Sequence, residues 1–213
     1  MRTGLLDGKL YRICEWISRL AYINILWILF TIIGFVLLGF APATVALFTI
    51  VRKWLLFHDD DVPIFKTFIQ TYKSEFWRAN RIGLLLMAMA YVFSIDVLYI
   101  GHLPAVWRFP FIAILPLVLI FYTVALLYVF PLYVHYELRF WQYIKYAFLI
   151  GMVNPFRTIG VMISIGALLI ALVYIPGLIP FFGISLLALI VMGNALQVFR
   201  KTEEKQVAMR QVE

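Results

Sequence analysis

Membrane-length apolar stretches decide what this chain can fold into. Residues 20–39, 82–101 and 111–134 carry no charge beyond Asp96, and each reaches the roughly 20 residues that an α-helix needs to cross about 30 Å of hydrocarbon. Residues 158–199 are too long for one helix and are broken at Pro176-Gly177 and Pro180, so they read as two crossings, 158–175 and 181–199. Apolar residues make up 64% of the 213 and charged ones 14%, whereas soluble domains run to about 45–50% and about 25%. A soluble enzyme is excluded. The chain is expected to be all-α, a polytopic membrane helix bundle.

Residues 42–57 form a marginal further stretch, interrupted by Arg52 and Lys53. The positive-inside rule arbitrates, because Lys and Arg concentrate in short cytoplasmic loops. If 42–57 crosses, with residues 39–42 as an outer turn, every one of the 18 basic residues except Arg108 falls on the cytoplasmic side. If it does not cross, the N-terminal cations (Arg2, Lys9, Arg12, Arg19) and those from Arg52 to Arg81 lie on opposite sides, and the bias disappears. The reading is therefore six transmembrane helices with both ends cytoplasmic. A signal peptide is not expected, since the first apolar run is membrane-length and Ala41-Pro42-Ala43 is a poor cleavage context.

Three segments outside the crossings have helical periodicity. Leu6, Leu10, Ile13, Ile17 and Leu20 form one stripe opposite Arg12, Glu15 and Arg19, which predicts an interfacial helix over 1–19. Asp61 suits the N-cap of a second amphipathic helix, with Pro63 in its first turn. Its apolar arc holds Ile64, Phe65, Phe68, Ile69, Tyr72 and Phe76, with Glu75 inside the arc. Phe65, Phe68, Tyr72, Glu75 and Phe76 are candidates for docking a partner, and Glu75 can alternatively pair with Arg78 at i+3. The aromatic segment 136–156 repeats the arrangement before the fifth crossing, although residue identity between the two units is slight. Residues 200–213 form a cytoplasmic tail.

Polar side chains inside a bilayer are costly and mark contacts or function. The candidates are Asn24 near the inner end of the first crossing, Asp96 toward the outer end of the third, and Asn194 near the inner end of the last. Interhelical hydrogen bonds are expected for the two asparagines. Asp96 is expected to reach the outer interface, or to pair with Arg108. Pro116 and Pro131 can kink the fourth crossing.

The chain lacks a phosphate-binding GxxxxGK[ST] loop, an HExxH pair and a GxSxG elbow. Asp59-Asp60-Asp61 reads as a cap and solvated loop rather than a cation site, and no cofactor or metal is expected. Cys14 is the only cysteine, which leaves no intrachain disulfide. Because the basic residues flank crossings, they answer to topology and anionic lipid rather than to nucleic acid. Three readings compete: a non-enzymatic accessory subunit, an independent transporter or channel for a small neutral solute, and a membrane enzyme in which Asp96, Tyr99 and His102 converge.

The run Asn24-Ile25-Leu26-Trp27, then Gly34, then Pro42-Ala43-Thr44 with Ala46-Leu47, followed by the aromatic helix bearing Phe65, Phe68 and Phe76, resembles the YesL family of bacterial membrane proteins. Ala41 stands where that family commonly has Gly. The resemblance implies no catalytic residues. Its members are encoded near carbohydrate-uptake systems of Gram-positive bacteria, which implies sugar ABC importer subunits as partners. An importer permease itself is disfavoured, since Glu75-Phe76-Trp77 ahead of Gly83 does not match the permease Glu-Ala-Ala loop in residues or spacing.

Overall fold

The computed structural model describes residues 3–57, 62–102 and 104–210. They form seven α-helices: α1 Thr3–Ile33, α2 Leu37–Phe57, α3 Ile64–Tyr99, α4 Ala105–His135, α5 Phe140–Val153, α6 Pro155–Tyr174 and α7 Ile179–Arg210. Short 3-10 turns at Ile100–His102 and Pro176–Leu178 join α3 to α4 and α6 to α7. Six helices are long and apolar enough to cross a membrane, α5 being the exception. The described residues contain no strand.

Two of the amphipathic segments are continuous with the crossings that follow them. Residues 3–19 lead straight into the first crossing as part of α1, and the amphipathic segment after Pro63 runs on through Asn80 into the third crossing as the 36-residue α3. Neither junction holds a Gly-Pro or Pro breaker, and extending a helix costs far less than starting a new one. The side chains of Leu6 and Leu10, His58 and the Asp59-Asp60-Asp61 cap lie outside the described residues.

The first hairpin also turns earlier than residues 39–42. Phe35 and Val36 take left-handed backbone angles, φ 58° and 60°, and end α1. The Val36 N–H donates to the Thr31 carbonyl and the Phe35 N–H to the Ile32 carbonyl, the paired bonds of a Schellman motif. Gly34 and Leu37 N–H groups are bonded as well, to Phe30 and Phe35 carbonyls. This wholly apolar turn therefore asks nothing of water for its N–H groups, a requirement for backbone at a lipid boundary. Gly34 and Gly39 let the two helix ends meet: a Cβ on Gly39 would stand 2.4 Å from the Thr31 carbonyl oxygen.

α2 is the centre of the bundle. Of its apolar stretch 61% is buried, against 17–28% in the other five membrane-length helices. Its small residues Ala41, Ala43 and Ala46 are fully enclosed, and Gly83 of α3 packs directly on Ala41. On its other side, Trp27 of α1 donates its indole N–H to Thr44 at 3.1 Å, while Trp16 meets Trp54 edge-on. The outward halves of α3 and α4, by contrast, expose Leu98, Tyr99, Phe109 and Ile112, the surface that a bilayer would solvate.

Candidate functional site: a basic cavity at one end of the bundle

The five aromatic and acidic candidates on α3 meet different fates. Phe68 and Tyr72 are buried against Phe30 of α1, with ring centroids 5.2 and 5.0 Å apart, and the Tyr72 hydroxyl donates to the Phe30 carbonyl. Phe76 is half-buried beside Tyr72. Glu75 accepts a hydrogen bond from the Tyr133 hydroxyl of α4, and no ion pair joins it to Arg78. Phe65 alone of the five stays exposed, at 52%. The apolar arc of this segment is thus occupied by the bundle itself. The opposite stripe holds Lys66, Gln70, Lys73 and Trp77, all exposed, with Trp77 at 78%.

Of the intramembrane polar candidates, Asn24 makes the most specific contact. It is 1% exposed. Its amide donates to the Pro180 carbonyl at 2.7 Å, and its Oδ1 accepts the Ile184 and Ser185 N–H groups at 3.0 Å each. α1 is thereby pinned to the first turns of α7. Asn194 bonds back to the Ile190 carbonyl of its own helix, so the interhelical bond expected of it is replaced by a local one; i and i−4 are always within reach on a helix. Asp96 is exposed and has no partner among the described residues. Arg108 bonds the Gly101 carbonyl instead of Asp96. Tyr99 and His102 lie near each other, but these residues are outside the cavity described next.

That cavity, about 1000 Å³, opens between α2, α3, α4 and the link into α5. Its wall carries Arg52 from α2, Glu75, Arg78 and Arg81 from α3, and Glu137 and Arg139 from the link. Gln142 holds the start of α5: its side-chain oxygen accepts the Arg139 N–H and its own N–H donates to the Arg139 carbonyl, a capping-box exchange without a Ser or Thr. The Tyr143 hydroxyl donates to the Tyr136 carbonyl and accepts the Leu138 N–H, so the link is fixed from below. Gly151 lets α5 lie close on Val124 of α4.

Three of the lining residues, Arg52, His135 and Tyr136, belong to a polar hub. Arg52 Nε donates to His135 Nδ1 at 3.2 Å, and the Tyr136 hydroxyl donates to Glu203 of α7 at 2.7 Å. His135 and Tyr136 both pack on Phe199. Burial, then the hydrogen bond to Glu203, push the Tyr136 phenol above its ordinary value, so it remains a donor across the physiological range. Among the described residues no group of three or more His, Cys, Asp or Glu gathers as a metal site would require. The sequence reading missed this cavity because its arginines lie on three separate segments, 52, 78–81 and 139; the positive-inside count had already placed them at one level.

The residues that carry the family resemblance also meet in space: Trp27 bonds Thr44, and Gly34 abuts the start of α2. The family model described as a protein of unknown function, DUF624, matches residues 20–97. Three Bacillus subtilis (strain 168) proteins align over nearly their whole length. "Uncharacterized protein YesV" is 42% identical over 95% of this chain and 97% of its own. "Uncharacterized protein YteU" is 38% identical over 92% and 88%, and "Uncharacterized protein YesL" is 32% identical over 91% and 90%. No solved structure matches the chain. On this identity and coverage the chain, with its six membrane-length helices, belongs to the YesL-like DUF624 family.

Proposed function

We propose that the protein is a non-enzymatic accessory or assembly subunit of a carbohydrate ABC import system, seated in the bacterial cell membrane with both termini cytoplasmic. The observation that carries this reading is the Lys66–Gln70–Lys73–Trp77 stripe on α3. An exposed Trp set among cations is the kind of residue that dominates binding energy when a partner covers it. Phe65, exposed at the start of the same helix, extends that surface. The choice of sugar importers rests on the family resemblance.

Purification from the native host in mild detergent tests the reading. Importer subunits should copurify in stoichiometric amounts, and Trp77→Ala should reduce their recovery about tenfold or more, the size of a hot-spot loss. Recovery of this chain alone would overturn it. The open cavity lends some support to the rival reading, an independent transporter or channel for a small neutral solute, but a wall with four arginines and two glutamates is poorly matched to neutral cargo. Proteoliposomes holding only this chain are expected to show no sugar uptake above empty vesicles.

A further inference from the structure

We propose that the basic cavity is a binding site for a phosphate group, carried either by a membrane lipid headgroup or by a free phosphate in solution. Arg52, Arg78, Arg81 and Arg139 converge on it from α2, α3 and the α4–α5 link. Against them stand two carboxylates, and Glu75 is already engaged by Tyr133. No described ion pair involves any of the four arginines, and the described hydrogen bonds use Arg52 only through Nε. The four like charges share one open concavity and repel one another. An anion relieves that repulsion.

Phosphate is the anion these groups suit. A planar guanidinium fork presents paired N–H donors at the spacing of two phosphate oxygens, and several forks surround a tetrahedral group better than a planar one. Thr71 and the Gln142 amide add neutral donors to the same wall. The volume stands at the upper end of small-molecule sites, about 300–1000 Å³, which leaves room for the group that bears the phosphate. Ile82, in the wall, is also where the uninterrupted apolar part of α3 begins. The cavity therefore sits at the level where headgroups lie.

The test uses the purified full-length chain and does not depend on any importer partner. In one arm, equal phosphatidylglycerol and diacylglycerol, which lacks the phosphate, are added in mild detergent and retained lipid is counted by native mass spectrometry. In the other, inorganic phosphate is titrated calorimetrically against chloride at equal ionic strength. Preferential retention of phosphatidylglycerol assigns the site to a headgroup, and phosphate binding assigns it to a soluble ligand; either supports the proposal. The double variant Arg78→Gln with Arg139→Gln, both exposed side chains, should weaken the observed binding about tenfold or more. The variant Lys66→Gln with Lys73→Gln, which removes the same charge from the outer stripe, should change it less than about twofold. No preference in either arm, or equal loss in both variants, would overturn the proposal.

Discussion

Asn24 shows how much one polar residue can do inside an apolar bundle, and how its worth is bounded. Its side chain bridges the Pro180 carbonyl and the Ile184 N–H, the two groups that an α-helical ladder joins directly. Truncation therefore does not orphan both: the ladder can close over the gap. Interhelical hydrogen bonds in membranes average about 0.6 kcal/mol and reach about 1.7, so Asn24→Ala should cost about 1–2 kcal/mol in thermal unfolding of the detergent-solubilised protein. Asn24→Asp should cost more, about 3 kcal/mol, although it is nearly isosteric. It loses the donors to Pro180 and sets a carboxylate against carbonyl oxygens at a site that is 1% exposed. A cost for Asn24→Asp below that of Asn24→Ala would mean that Asn24 contributes only volume.

At the scale of elements, close approach and continuity matter more than amphipathicity. Gly39→Ala would drive a Cβ to 2.4 Å from the Thr31 carbonyl oxygen and 2.8 Å from that of Phe30. These are backbone atoms that no rotamer change moves, and the expected loss is about 1–3 kcal/mol. Gly160→Ala, where a Cβ meets nothing within 4 Å, should be neutral or stabilise by up to about 1 kcal/mol through helix propensity. Melting curves of the two variants check the contrast, and similar shifts would contradict the packing of the α1–α2 turn. The same region shows what could be read in advance. Hydropathy located the membrane-length segments, since a 20-residue apolar run admits few other structures in lipid. It did not locate the first turn, because Gly39 and Pro42 carry the usual turn signals while Phe35 and Val36, which favour other backbone regions, make the turn. Nor could periodicity reveal that the Phe68 and Tyr72 arc would be covered by Phe30: a helix face declares that it needs burial, not what buries it. The convergence of Arg52, Arg78, Arg81 and Arg139 was legible only as a shared level, because spacing along the chain carries no information about which helices become neighbours.

For the whole molecule, the surplus of basic residues is the feature that ties fold to function. All but Arg108 belong to one end if the six membrane-length helices cross alternately, and that end holds the cavity, the Trp77 stripe and the hub that links α2, α4 and α7. The partner reading needs this end to face the cytoplasm, and the phosphate site lies at the same end. Labelling with a membrane-impermeant maleimide tests it most directly. In a Cys14→Ser background, single cysteines replace Thr3, Gly101, Glu137 and Gly177; a Cβ at Gly101 or Gly177 meets nothing within 4 Å. The account predicts that Gly101→Cys and Gly177→Cys are labelled in intact cells, whereas Thr3→Cys and Glu137→Cys are labelled only after permeabilisation. Labelling of Thr3→Cys from outside would leave an odd number of crossings, and labelling of Glu137→Cys from outside would put the basic cavity on the wrong face; either result would contradict it.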